Sequence, residues 1–201
     1  MTTLRRLALG LVSAAMVTAG TGPAAAQITA NGPYYPPPSW DLTMPGASRF
    51  IILSNFGGAA VLDRETGLVW ERSPSPNVFP WSNLSLLETT AHVHCNVGSV
   101  GNRLGWRLPT IQELASLADP TQLQPSLPAG HPFILTTEQQ RFPTPGFWSA
   151  TTSDPDTQGP GGYAWYLQFV PVATDLVISN GQKNSRRFAW CVRGGQGVDP
   201  Q

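Results

Sequence analysis

The run His92-Val93-His94-Cys95 offers three metal-binding side chains within four positions. On a helix, His92 and His94 diverge by about 200 degrees, so they do not converge on one ion, and Cys95 has a competing use as half of a disulfide. We expect no metal there, and ordinary solvated or capping histidines at a helix end. Asp154 and Asp156 sit in a tip rich in Gly and Pro and offer carboxylates to a hard cation. Two carboxylates make a thin shell, which favours a solvated loop. Lys183, Arg186 and Arg187 form a basic cluster beside Asn180-Gly181. Guanidinium groups there suit a sulfated or acidic glycan; the alternative is a solvated hairpin. Ser149 lacks the Gly-x-Ser-x-Gly elbow, and no Ser, His and Asp set is arranged by a motif. The sequence therefore implies no catalytic residue, no resident metal and no cofactor.

The compartment decides how the cysteines are read. Arg5 and Arg6, the apolar run Leu7 to Val17 and Ala24-Ala25-Ala26 are the three parts of a secretory signal, with cleavage expected after Ala26. The apolar run is shorter than the roughly 20 residues that span a bilayer, so no stable membrane insertion is expected. Residues 1–26 hold two of the twelve basic residues and none of the twelve acidic ones; the remainder carries ten against twelve, or net −2. That balance argues against nucleic-acid binding by bulk charge. Cys95 and Cys191 are the two cysteines, and an exported chain meets conditions in which disulfides persist. Their pairing closes a loop for which chain entropy gives on the order of 4 to 5 kcal/mol. The competing reading, free thiols or a catalytic dithiol, lacks C-x-x-C spacing.

The elements that must position these residues follow from pattern. Residues 27–48 are a proline-rich arm with Tyr34, Tyr35 and Trp40 between the prolines. Phe50 to Leu53, Ala59 to Leu62 and Leu68 to Trp70 read as strands. Asp63 to Gly67 between the last two reads as a turn. Leu84, Leu87, Ala91 and Cys95 have the spacing of one helical face, predicting a helix between Pro80 and Cys95. Thr110-Ile111-Gln112-Glu113 is a capping box that opens a second helix, with Ile111, Leu114, Ala115 and Ala118 on its inner face. Residues 120–146 predict a long loop held by Phe133, Ile134 and Phe142. Phe147 to Thr152 and the alternating Tyr163, Trp165, Leu167 and Phe169 predict strands. Val172 to Ser179 and Ser185 to Val192 predict a hairpin about Asn180-Gly181.

Gly67-Leu68-Val69-Trp70, Cys95, Trp106-Arg107-Leu108-Pro109-Thr110-Ile111-Gln112-Glu113-Leu114, Phe147-Trp148-Ser149-Ala150-Thr151, Ala164-Trp165 and Cys191-Val192-Arg193-Gly194 occur in a telling order. The set, over about residues 49–195, resembles the C-terminal domain family of the Legionella collagen-like protein. Arg107 to Thr110 is also similar to the sulfatase-modifying, formylglycine-generating enzymes. The resemblance implies an α+β, C-type-lectin-like fold with two helices, a twisted antiparallel sheet and long loops. A cysteine ending the first helix would then be tied to one in the last strand. Trp70, Trp106, Arg107, Leu108, Pro109, Thr110, Glu113, Trp148 and Trp165 would be structural. Trp190 stands where the family often has Arg. The calcium-holding triplets of true C-type lectins are absent, so calcium-dependent sugar binding is not inherited.

The organisation expected is a signal peptide at 1–26, an arm at 27–48, a lectin-like domain at 49–195 and a tail at 196–201. The function expected is a secreted, non-catalytic binding or adhesion module for a glycan or surface protein, in periplasm or exterior, with no oligomeric state specified. The rival readings are a maturation factor related to the sulfatase-modifying group, which needs reactive thiols, and an envelope component that docks a protein through its arm.

Overall fold

The computed structural model describes residues 44–82, 88–123, 125–140, 144–153, 161–172 and 175–194. It is α+β, with two sheets and a few short helices. The first sheet runs β1 (Phe50–Ile52), β2 (Ala60–Asp63), β3 (Val69–Glu71) and β9 (Val192–Arg193), antiparallel throughout. The second has the order β4 (Val78–Pro80), β8 (Arg186–Phe188), β5 (Phe147–Thr152), β6 (Tyr163–Val172) and β7 (Asp175–Gln182). Its one parallel pair is β5 with β8.

The turn between β2 and β3 forms as its residues dictate. The Asp63 carboxylate accepts from the Glu65 N–H at 3.0 Å and from the Thr66 hydroxyl at 2.9 Å, and Gly67 takes φ 71°. The same carboxylate accepts a two-pronged bond from Arg49, whose guanidinium also donates to the Ser116 carbonyl at 2.9 Å. Arg49 and Asp63 are both fully buried, so this bridge pins β1, β2 and the second long helix together. That helix, α3 (Ile111–Ser116), follows a short α1 (Gly46–Arg49) and α2 (Ala91–Val97). Its capping box is complete: the Thr110 hydroxyl accepts from the Glu113 N–H at 3.2 Å, and Glu113 Oε2 from the Thr110 N–H at 2.9 Å.

Apolar side chains gather in two clusters. The first joins Phe50, Val61, Leu68 and Trp70 to Leu114 and Leu117, and to Phe147, Leu167, Phe169, Phe188 and Trp190. Trp190 is its hub, 4.9 Å from Phe133 edge to face, and within 5.3–5.8 Å of Trp70, Phe147 and Phe169. The second cluster gathers Phe56, Ala91, Cys95, Trp106, Trp148, Ala164 and Cys191. Trp190 and Cys191 thus face different clusters, as neighbours in extended chain must.

Three expectations are corrected. The first helix begins at Ala91, with Thr90 as its N-cap, and runs past Cys95 to Val97; Leu84 and Leu87 lie outside the described residues. The 120–146 stretch is not wholly loop: α4 (Thr137–Gln140) interrupts it, and Ile134 is 53% exposed while Phe133 packs inward. Phe142 lies outside the described residues. The third concerns Asn180-Gly181, which is part of β7 rather than a turn. Strands β7 and β8 do not pair; β5 and β6 stand between them, and Lys183 to Ser185 carry the chain across.

Candidate functional site

The three basic residues near the end of β7 separate in space. Lys183 is fully buried, with its ammonium 4.4 Å above the Trp81 ring. Its carbonyl accepts from the Trp81 and Ser82 N–H groups, and the indole N–H of Trp81 donates to the Ser149 carbonyl at 2.7 Å. His92 stands edge-on to the same indole at 4.5 Å. Burial, with the Lys183 charge as the smaller cause, pushes its pKa down to about 4, so the ring is neutral near pH 7. The solvated or capping histidine expected at this position is therefore part of a packed stack with Trp81. Arg186 alone of the three is exposed, and it pairs with Glu88.

Arg187 reaches sideways over the sheet. Its guanidinium carbon is 3.4 Å from the Tyr166 ring centroid and 4.9 Å from that of Trp148. The group donates to the Pro145 carbonyl, while its buried Nε has no partner among the described residues. Burial lowers its pKa, and the Tyr166 side chain opposes that fall. Gly181 makes room for this reach: a Cβ there would lie 2.5 Å from one terminal nitrogen of Arg187. Arg187 and Tyr166 remain half-buried, so this cation–aromatic pair meets solvent at its rim.

Beneath this layer Cys95 and Cys191 are joined, with Cα atoms 5.4 Å apart and a sequence separation of 96. Neither is exposed by more than 1%. Glu71 lies beside them: its carboxylate accepts from the Cys191 N–H at 2.9 Å, and its carbonyl accepts from the Trp190 indole at 2.8 Å. Burial raises the Glu71 pKa to about 7, the hydrogen bond from Cys191 resisting only in part. His94 stacks on Phe79 at 4.4 Å, and burial lowers its pKa. Oxygen, nitrogen and sulfur atoms of Glu71, His94 and Cys191 lie within 4.8 Å of one another.

Arg107 forms a two-pronged bridge to Glu113 at 2.6 and 2.7 Å and donates to the Gly194 carbonyl at 2.7 Å. It thereby locks the start of α3 to the final strand, with Arg107 and Val192 bridged through their backbones. Trp70, Trp106, Leu108 and Trp148 are core, and Trp165 is half-buried. Asp154 and Asp156 lie outside the described residues, as do Tyr34, Tyr35 and Trp40. Sequence reasoning passed over Glu71 and Tyr166, and assigned Gly181 to a turn. Glu71 stands directly after the Gly67 to Trp70 motif, but nothing in the local pattern says that its carboxylate faces a distant cysteine.

Fold and site together define an α+β domain with two core clusters and one disulfide inside the second of them, and among the described residues no helix is long and apolar enough to cross a membrane. The chain belongs to the Lcl C-terminal domain family, whose model matches residues 59–193. Comparison with curated proteins and with solved structures gives no significant match.

Proposed function

We propose that this chain is an exported, non-catalytic binding module for an extracellular or envelope polymer, of the glycan or matrix-like class. The observation that carries this reading is the half-buried pair of Arg187 and Tyr166, set rigidly over Trp148 on the second sheet. A planar guanidinium recognises carboxylate or sulfate with two parallel bonds, and an aromatic face beside it packs on a sugar ring. Family membership supports the assignment to an exported class, as do the signal-like residues 1–26. The pairing of Cys95 with Cys191 supports this reading over a maturation enzyme of the sulfatase-modifying type, which needs reactive thiols.

The test is binding of the protein to a broad glycan and matrix panel, in calcium and in chelator. Arg187→Lys keeps the charge and loses the planar fork, and is expected to weaken an anionic ligand by roughly tenfold. Failure of every polymer in both conditions refutes the reading. N-terminal sequencing of the secreted protein is expected to begin at Gln27.

A further inference from the structure

The disulfide occupies a place where other ligating atoms already converge. Glu71, His94 and Cys191 bring a carboxylate oxygen, an imidazole nitrogen and a sulfur within 4.8 Å of one another, and Cys95 Sγ is bonded to that sulfur. These four come from three separate places in the chain: the end of β3, adjacent positions of α2, and the residue before β9. Glu71 and both cysteines are buried, and His94 is half-buried. Two sulfurs, one nitrogen and one oxygen are a donor set suited to tetrahedral zinc, with its preference for thiolate and imidazole.

We propose that the reduced chain binds one Zn(II) through Cys95, Cys191, His94 and Glu71, so that a metal ion closes the domain where the disulfide otherwise does. This goes beyond the polymer-binding reading and does not depend on it. The chemistry balances with a trialkylphosphine as reductant. The phosphine takes oxygen from water and becomes the phosphine oxide, the S–S bond breaks, and the water protons complete two thiols. Zinc then replaces both thiol protons, which pass to the buffer. Burial shields the disulfide from reductant in the folded domain, so the metal form is reached by folding the reduced chain.

The full chain is unfolded, reduced with the phosphine and refolded without oxygen in the presence of Co(II), Zn(II) or neither. We expect one Co(II) per chain, with thiolate charge-transfer bands and the intense visible bands of tetrahedral cobalt, and displacement by Zn(II). We also expect melting of the reduced chain to move up on adding Zn(II), towards that of the oxidised protein. His94→Ala and Glu71→Gln, each first shown to fold when oxidised, are expected to weaken Co(II) by roughly tenfold or more. Four results overturn the proposal: no stoichiometric binding by the reduced chain, failure of either metal to restore folding where reduction abolishes it, affinity unchanged in both variants, or equal binding by the oxidised chain.

Discussion

Replacing Gly181 with Ala isolates the reach of Arg187 across the second sheet. The added Cβ would stand 2.5 Å from a terminal nitrogen and 3.2–3.3 Å from Nε and the central carbon, and Gly181 φ lies outside the left-handed region. The obstacle is thus the Arg187 side chain and not the backbone. If Arg187 moves aside it loses its seat over Tyr166 and Trp148, a cation–π contact of about 1–2 kcal/mol when partly desolvated. It also loses its bond to the Pro145 carbonyl, and a charged donor's bond contributes about 1.5–3 kcal/mol. Partial relaxation of a flexible side chain recovers some of this, so Gly181→Ala is expected to destabilise by about 2 kcal/mol. In an Arg187→Ala background the space is empty, and Ala in a strand is favoured over Gly by about 0.5–1 kcal/mol. The same substitution should then stabilise. Urea unfolding of the four proteins, followed by tryptophan fluorescence, gives the coupling energy directly. An equal cost of Gly181→Ala in both backgrounds refutes the account.

Glu71→Gln tests the buried carboxyl beside the disulfide. Because its folded pKa is raised to about 7 from 4.5, folding takes up a proton between those values, and stability falls as pH rises through that window. The variant should match the wild type near pH 4 and exceed it at pH 8 by up to about 3 kcal/mol, read from denaturant midpoints. His92 has the opposite sign. Its folded pKa is lowered to about 4 from 6.5, so stability falls as pH drops from 6.5 towards 4, and His92→Phe should flatten that acid limb in thermal melts. Cys95→Ala with Cys191→Ala is expected to cost about 4 kcal/mol for a closed loop of this length, measured by urea unfolding. Thr110→Ala removes one half of the capping box and should cost about 1 kcal/mol in the same assay.

Local signals were read correctly where the physics is local. Thr110 and Glu113 satisfy N–H groups within one turn of each other, and Asp63 folds its own turn, so four or five residues contain the whole cause. The strands about Phe147 and Tyr163 declare themselves by β-forming and alternating side chains. The reading failed where a local pattern has a distant cause. Asn180-Gly181 has the composition of a tight turn, yet the glycine is needed because Arg187, from a strand three places away in the sheet, lies against it. Lys183 sits among charges and polar residues in sequence, yet Trp81, a hundred residues earlier, covers it. His92 and His94 looked like polar helix positions. Their neighbours Trp81 and Phe79 come from the segment at and just after β4, more than ten residues earlier and outside the helix's own pattern. The disulfide was legible because two cysteines allow one internal pairing; the carboxyl and imidazole beside it were not.

The first sheet has a consequence for the order in which the domain is built. Three of its strands are complete by Glu71, but the fourth, Val192–Arg193, is among the last of the described residues to be made. An emerging chain must therefore hold β3 with one bare edge, and Trp70 without its Trp190 partner, while more than a hundred further residues follow. Such an edge pairs readily with other chains, and long-range closure of this kind is slow. The joint that finishes the fold is also the one that draws in Cys191. The β3–β9 pairing, the Trp70–Trp190 contact and the disulfide consequently all wait until residues 190–193 have been made.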